Sequence, residues 1–218
     1  MAHPLWPLFD LRLRIADVEL RLPTDDELVA LAAVARAGMH EPDEMPFGVA
    51  WSTVASPEFE RSFARHHWEA RASWSRTLWS LHLATFLDGR PIGAQSLLAR
   101  DFPTLRAVHT GSWLGLAWQG QGYGKTMRAA VLGFAFDHLG AELAETEAFL
   151  DNERSAGVSR SLGYEPNGLG RLAPEGVARD TQRFRMTLDG WRSRPRPALD
   201  VAGFDACREL FGLEGTDT

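Results

Sequence analysis

Gly111-Ser112-Trp113-Leu114-Gly115-Leu116-Ala117-Trp118-Gln119-Gly120-Gln121-Gly122-Tyr123-Gly124-Lys125 is the stretch whose reading decides the fold. A run that reads as a strand enters a glycine-rich turn, and an amphipathic helix begins at once. Glycine has no Cβ, so such a turn can bend tightly and let a ligand approach its backbone. The first turn of the helix offers unpaired N–H groups and the positive end of the helix dipole. Together they predict an anion site suited to phosphate. Two familiar nucleotide motifs each miss by one residue. Gly120, Gly122 and Gly124 space as G-x-G-x-G where the dinucleotide fingerprint needs G-x-G-x-x-G, and Gln119 stands where the P-loop before Gly124-Lys125-Thr126 needs glycine.

Working outward, the 218 residues carry 44% hydrophobic content, enough to bury a full core. A net charge of −6 argues against a dominant nucleic-acid surface, so no nucleic-acid partner is expected. The single cysteine, Cys207, excludes an intrachain disulfide and suits a reducing, cytoplasmic setting. No basic, apolar leader opens the chain, and no run of about 18 apolar residues could span a membrane.

Val18 to Leu22 alternates as a half-buried strand, and Thr24 with Glu27 forms a capping box for the helix that follows. Pro57 to Ser73 reads as a second helix. Its adjacent His66 and His67 are expected to point apart and not to share a metal. Leu78–Leu87 and Arg90–Arg100 flank Asp88-Gly89, a strong hairpin signal. A strand over Arg106–Leu114 leads into the glycine loop. The next helix has Met127, Ala130, Val131, Phe134 and Ala135 on one face and closes at Gly140. A strand over Leu143–Leu150, a helix from about Asn152 to Leu162, an extended piece opening at Gly163-Tyr164 and a strand over Thr181–Leu188 complete the set. Residues 1–17 form an N-terminal extension, 18–189 the domain, and 190–218 a basic, proline-rich linker with a short helix over Val201–Phe211. Tryptophans near both ends suggest a homo-oligomer, because exposed aromatics tend to be covered.

Gln119-x-x-Gly122-x-Gly124, Asp151-Asn152-Glu153-Arg154-Ser155 and Leu162-Gly163-Tyr164 together resemble the GCN5-related N-acetyltransferases (GNAT), most closely their RimJ/RimL-type branch of ribosomal-protein N-acetyltransferases. The resemblance covers about Val18 to Asp189 and is nearest to actinobacterial members, some described as using succinyl-CoA. It implies an α+β (mixed α/β) fold, a bent, mostly antiparallel mixed sheet flanked by helices. Its two central parallel strands, here Arg106–Leu114 and Leu143–Leu150, splay apart. It also implies acetyl- or succinyl-CoA as co-substrate, no metal, and an amine acceptor, either a protein N-terminus or a small molecule. Pantetheine would pair with the backbone of Leu114, Leu116, Ala117 and Trp118. The pyrophosphate would take amides of Gln119, Gly120, Gln121, Gly122, Tyr123, Gly124 and Lys125. Asn152 matches the asparagine that holds the pantetheine arm, with Ser155 beside it on the helix.

Direct acyl transfer needs a base for the ammonium, support for the oxyanion and a donor for the leaving thiolate. Glu147 stands five residues before Asn152, the base position in one branch of the family. Glu145, two residues away, shares its sheet face. Water-relayed deprotonation with no single base is the competing route. The family's usual acid is a tyrosine seven residues after the asparagine; here that residue is Ser159, which puts a tyrosine acid in doubt. Ser159 or Ser155 is the expected thiolate donor. Gln95 and Trp113 are candidate substrate contacts. Gln95 and Arg100 are candidates to read a carboxylate on a longer acyl group, and Met39–Ser56 is the expected acceptor wall. The alternatives are an acyl-CoA-binding sensor or scaffold without catalysis, or an aminoglycoside- or polyamine-type acetyltransferase.

Overall fold

The computed structural model describes residues 3–213. In chain order the strands are β1 (Arg12–Ile15), β2 (Val18–Arg21), β3 (Leu78–Leu87), β4 (Arg90–Arg100), β5 (Ala107–Leu114), β6 (Leu143–Phe149), β7 (Glu165–Leu172), β8 (Arg179–Thr187) and β9 (Asp200–Ala202). The helices are α1 (Asp25–Arg36), α2 (Glu58–Ala72), α3 (Phe102–Leu105), α4 (Tyr123–Gly133), α5 (Glu153–Leu162) and α6 (Leu188–Arg192). All nine strands join one sheet in the order β7-β8-β6-β5-β4-β3-β2-β1-β9. Every neighbouring pair is antiparallel except β5 and β6, which are parallel.

Local chemistry explains the elements. Thr24 and Glu27 close a reciprocal capping box at the start of α1, supplying acceptors to N–H groups the helix leaves open. Past Gly133 the helix α4 widens into π geometry over Phe134–Leu139 and ends at Gly140, whose φ of 74° only glycine adopts without strain. α1 and α2 pack Leu28, Leu31, Phe59 and Phe63 on one sheet face with Ala84 and Phe86. α4 and α5 cover the opposite face, where Met127, Ala130 and Val131 meet Leu81, Leu83, Leu97 and Val108.

The two ends depart from the sequence reading. β1 pairs with β2 and with β9, so residues on both sides of 18–189 complete the same sheet. Phe204, Cys207 and Phe211 enter the main core, and the expected helix over Val201–Phe211 is instead β9 followed by a 3-10 helix over Asp205–Phe211. Trp6 packs edge-on against Trp74, and Trp191 is buried. The chain itself covers these tryptophans, which removes the reason given for an oligomer. Among the described residues no helix is long and apolar enough to cross a membrane.

Candidate active site

β5 and β6 pair only over Ala107–Leu143, Val108–Ala144 and His109–Glu145, although β5 runs on to Leu114 and β6 to Phe149. Beyond that register the two strands part. A buried polar cluster fills the wedge on the α4 side. Arg128, 2% exposed, reaches from α4 to Gln95 Oε1 on β4 (3.4 Å), Ser112 Oγ on β5 (2.8 Å) and Thr146 Oγ1 on β6 (3.3 Å). Thr146 donates to the Thr110 carbonyl (2.9 Å), and Thr110 Oγ1 lies 3.1 Å from the Tyr164 hydroxyl. Side chains thus replace the ladder hydrogen bonds that the split removes. Burial lowers the Arg128 pKa and raises that of Tyr164.

At the open end of β5 the chain turns through Leu116–Trp118 into the glycine loop. Gly120 (φ 75°) and Gly122 (φ 91°) take left-handed conformations that a side chain would strain, and Gly122 caps α4. The Gly122 carbonyl accepts from Lys125 and Thr126, while the N–H groups from Gly120 through Gly124 find no acceptor among the described residues. Five free donors at a helix N-terminus form an anion cradle. The backbone N–H groups of Gln119 and Lys125, expected in the cradle, instead donate to Leu116 O (3.2 Å) and Gly122 O (3.0 Å). The Gln119 Nε2 donates to Met39 O (2.7 Å) and Leu114 O (2.9 Å), and its Oε1 accepts from Arg154 (3.3 Å). Across the split, Asn152 Oδ1 caps α5 by accepting from Ser155 N (3.0 Å).

Glu145 and Glu147 do share a face, the one covered by α1 and α2, because Ala144, Thr146 and Ala148 turn to the α4 side. Glu145 meets His109 Nε2 at 3.2 Å. Glu147 is exposed and accepts from Thr181 (3.1 Å). Ser155 is half-buried, whereas Ser159 is 1% exposed and donates to the Ser155 carbonyl (3.2 Å). Gln95 is fully buried on the α4 side, donating to the carbonyls of Gly111 and Ser96, so it faces no open cleft. Arg100 is exposed at the far end of β4, opposite Leu78. Trp113 lies on the α1–α2 face with Trp51 (5.9 Å between rings) and Phe63 (6.4 Å).

This fold is that of the acetyltransferases in other solved structures. A family model described as an acetyltransferase (GNAT) domain matches residues 17–165. The chain belongs to the GNAT acetyltransferase family. Among solved structures, Mycobacterium smegmatis RimJ in complex with CoA-disulfide superposes on this GNAT chain with a TM-score of 0.69 at 22% identity, over 88% of this chain and 92% of that one. RimL, a ribosomal L7/L12 α-N-protein acetyltransferase in complex with coenzyme A, gives 0.63 at 17% identity, over 80% and 96%. The ribosomal-protein-S5-alanine acetyltransferase of Vibrio fischeri gives 0.64 at 18%, over 84% and 99%. At these identities the likeness is one of fold.

Sequence reasoning missed several features of this GNAT site. The Arg128 wedge gave no motif signal, since arginine inside an amphipathic helix reads as surface. His66 and His67 do not point apart; their ring centroids are 5.7 Å apart and gather with His82, at 4.4 and 5.9 Å. No group of three or more His, Cys, Asp or Glu among the described residues has metal-holding geometry. The 38–56 segment straps across the split. Gly38 O and Met39 O accept from Leu116 N and Gln119 at one end, and Met45 O accepts from Arg179 (2.6 Å) at the other.

Proposed function

We propose that this chain transfers an acyl group from an acyl-CoA directly to a primary amine, in the manner of the RimJ/RimL-type branch. The observation that carries this reading is the run of unpaired N–H groups from Gly120 to Gly124 at the mouth of the split between β5 and β6. An anion cradle beside a parted strand pair suits a long ligand with a pyrophosphate and an arm that borrows strand hydrogen bonds. Over Leu114, Leu116, Ala117 and Trp118 the Leu116 and Trp118 N–H groups already donate to Gly38 O and Gly115 O, so the arm would borrow the Ala117 N–H and the carbonyls of this turn. Asn152, whose Oδ1 caps α5, would meet the arm through its side-chain NH2.

In the reaction the amine nitrogen attacks the thioester carbonyl carbon, the C–S bond breaks, and CoA leaves as the thiolate. Glu147 takes the proton that the ammonium must lose; its exposed position and single Thr181 contact leave one oxygen for that proton. Ser155 supports the thiolate by hydrogen bonding. Ser159 acts behind it, because its own hydroxyl is engaged by the Ser155 carbonyl. Trp113 bounds the acceptor side. The acyl group is acetyl or succinyl.

Free-thiol release measured with acetyl-CoA and succinyl-CoA tests this, against a peptide with a free N-terminal alanine, spermidine and kanamycin. Turnover of at least one pair is expected, and Glu147→Gln should lower kcat by about 100-fold with acyl-CoA affinity held. Binding of acyl-CoA without turnover of any amine would favour the sensor or scaffold reading instead. No thermal shift with either CoA ester would sink the acyl-CoA reading altogether.

A further inference from the structure

On the face covered by α1 and α2, His82 on β3 pairs directly with Ser96 on β4, and Ser96 pairs directly with Gly111 on β5. The last parallel pair, His109 with Glu145, lies two residues earlier, so the same row continues across the split to Glu147. The row therefore reads His82, Ser96, Gly111, split, Glu147. Its one position without a side chain is Gly111, next to the split. A Cβ at Gly111 would meet nothing within 4 Å, and its φ is not one that requires glycine. Backbone geometry does not demand glycine here, and what the glycine leaves is open space.

Ser96 is held for a purpose on one side of that space. His82 Nδ1 lies 2.7 Å from Ser96 Oγ. Burial, then the neighbouring His66, pushes the His82 pKa down to about 3, so the ring is neutral near pH 7. In either tautomer the Ser96 oxygen keeps a lone pair for a donor in the cleft. His66 and His67 pack beside the His82 ring, with centroids 4.4 and 5.9 Å away. Trp113, two residues from Gly111 on the same face, walls the space with Trp51.

We infer that the acceptor's primary amine docks in the space over Gly111, donating a hydrogen bond to Ser96 Oγ on one side and facing Glu147 on the other, with His82 as the positioning residue for Ser96. This rests on the acyl-CoA reading above, and adds to it the residues that select and orient the amine. An N–H donor fits between a hydroxyl acceptor and a carboxylate; the gap left by one missing side chain suits an unhindered primary amine over a branched one.

Steady-state kinetics on Gly111→Val, Ser96→Ala and Ser96→Thr test the inference. The probe amine is whichever of the alanine peptide, spermidine and kanamycin the wild type acylates fastest, and acetyl-CoA affinity is measured by calorimetry. Valine is at home on a strand and should raise the KM for the amine at least tenfold while the acetyl-CoA Kd stays within threefold. Ser96→Ala should do the same, and Ser96→Thr, which keeps the hydroxyl, should restore the wild-type KM. An unchanged amine KM in both Gly111→Val and Ser96→Ala, with acetyl-CoA still bound, overturns this inference alone. Absence of acetyl-CoA binding in the wild type overturns the acyl-CoA reading and this inference with it.

Discussion

At the scale of single residues, Arg128 and Gln119 show how far a side chain's role depends on what surrounds it. Arg128 is a cation with only neutral hydrogen-bond partners, drawn from three strands. A buried charge without an opposite partner costs several kcal/mol of desolvation, so its retention is weak evidence for stability. Arg128→Met should therefore leave the melting temperature unchanged or raise it. Once the wedge loosens, kcat should fall by about 100-fold, the cost of a small misplacement of reacting groups. Differential scanning calorimetry beside thiol-release kinetics checks this; a parallel fall of melting temperature and activity would make Arg128 an ordinary scaffold residue. Gln119 was legible as a loop residue from its spacing. Its contact to Met39 was not, because it joins positions 80 residues apart.

Among elements, the hairpin of β3 and β4 sets the geometry that the end of β5 inherits. At Gly93 the β5 backbone comes so close that an added Cβ would lie 2.3 Å from the Trp113 carbonyl oxygen and 2.8 Å from Leu114 Cα. The register shift between Thr85 and Phe86 falls at this same point, opposite Gly93. Backbone atoms cannot move aside as a flexible side chain can. Gly93→Ala should destabilise the chain by about 2 kcal/mol, within the range for overpacking a close contact, and urea unfolding would measure it. It should also weaken acyl-CoA binding, because Leu114 leads directly into the loop. Both strands of this hairpin were readable to the residue, since Asp88-Gly89 fixes the turn and the apolar runs fix the ends. β1 and β9 were not: one is four residues long, the other three, and neither carries enough pattern to stand apart from a loop.

For the whole molecule, acid sensitivity is concentrated between α2 and β3. Burial first, then the charges of His82, His66 and Arg71, lowers the His67 pKa to about 3, and His82 sits at about 3 beside it. His66 is also lowered, by burial, with Glu69 acting in the opposite sense. In the unfolded chain the His67 and His82 rings take up protons near 6.5; in the folded chain these two resist until about 3. The unfolded state thus binds more protons throughout that window, and stability falls as pH drops through it. At pH 5 the loss should be about 2 kcal/mol for each of His67 and His82. Urea midpoints from pH 7.5 to 5 should show it, with a flatter profile in His67→Leu; equal slopes in the two proteins would refute the assignment.

The sequence by itself determined the order of most elements, the glycine loop, the capping box of Thr24 with Glu27 and the carboxylate pair on β6. Each is encoded by residues within a few positions of one another, where spacing and backbone preference suffice. The tertiary structure decided where β5 and β6 part, which residues wedge them, and that His82, Ser96, Gly111 and Glu147 share one row. Those relations join α2, α4 and four strands that are distant in the chain, and only sheet register and packing bring them together.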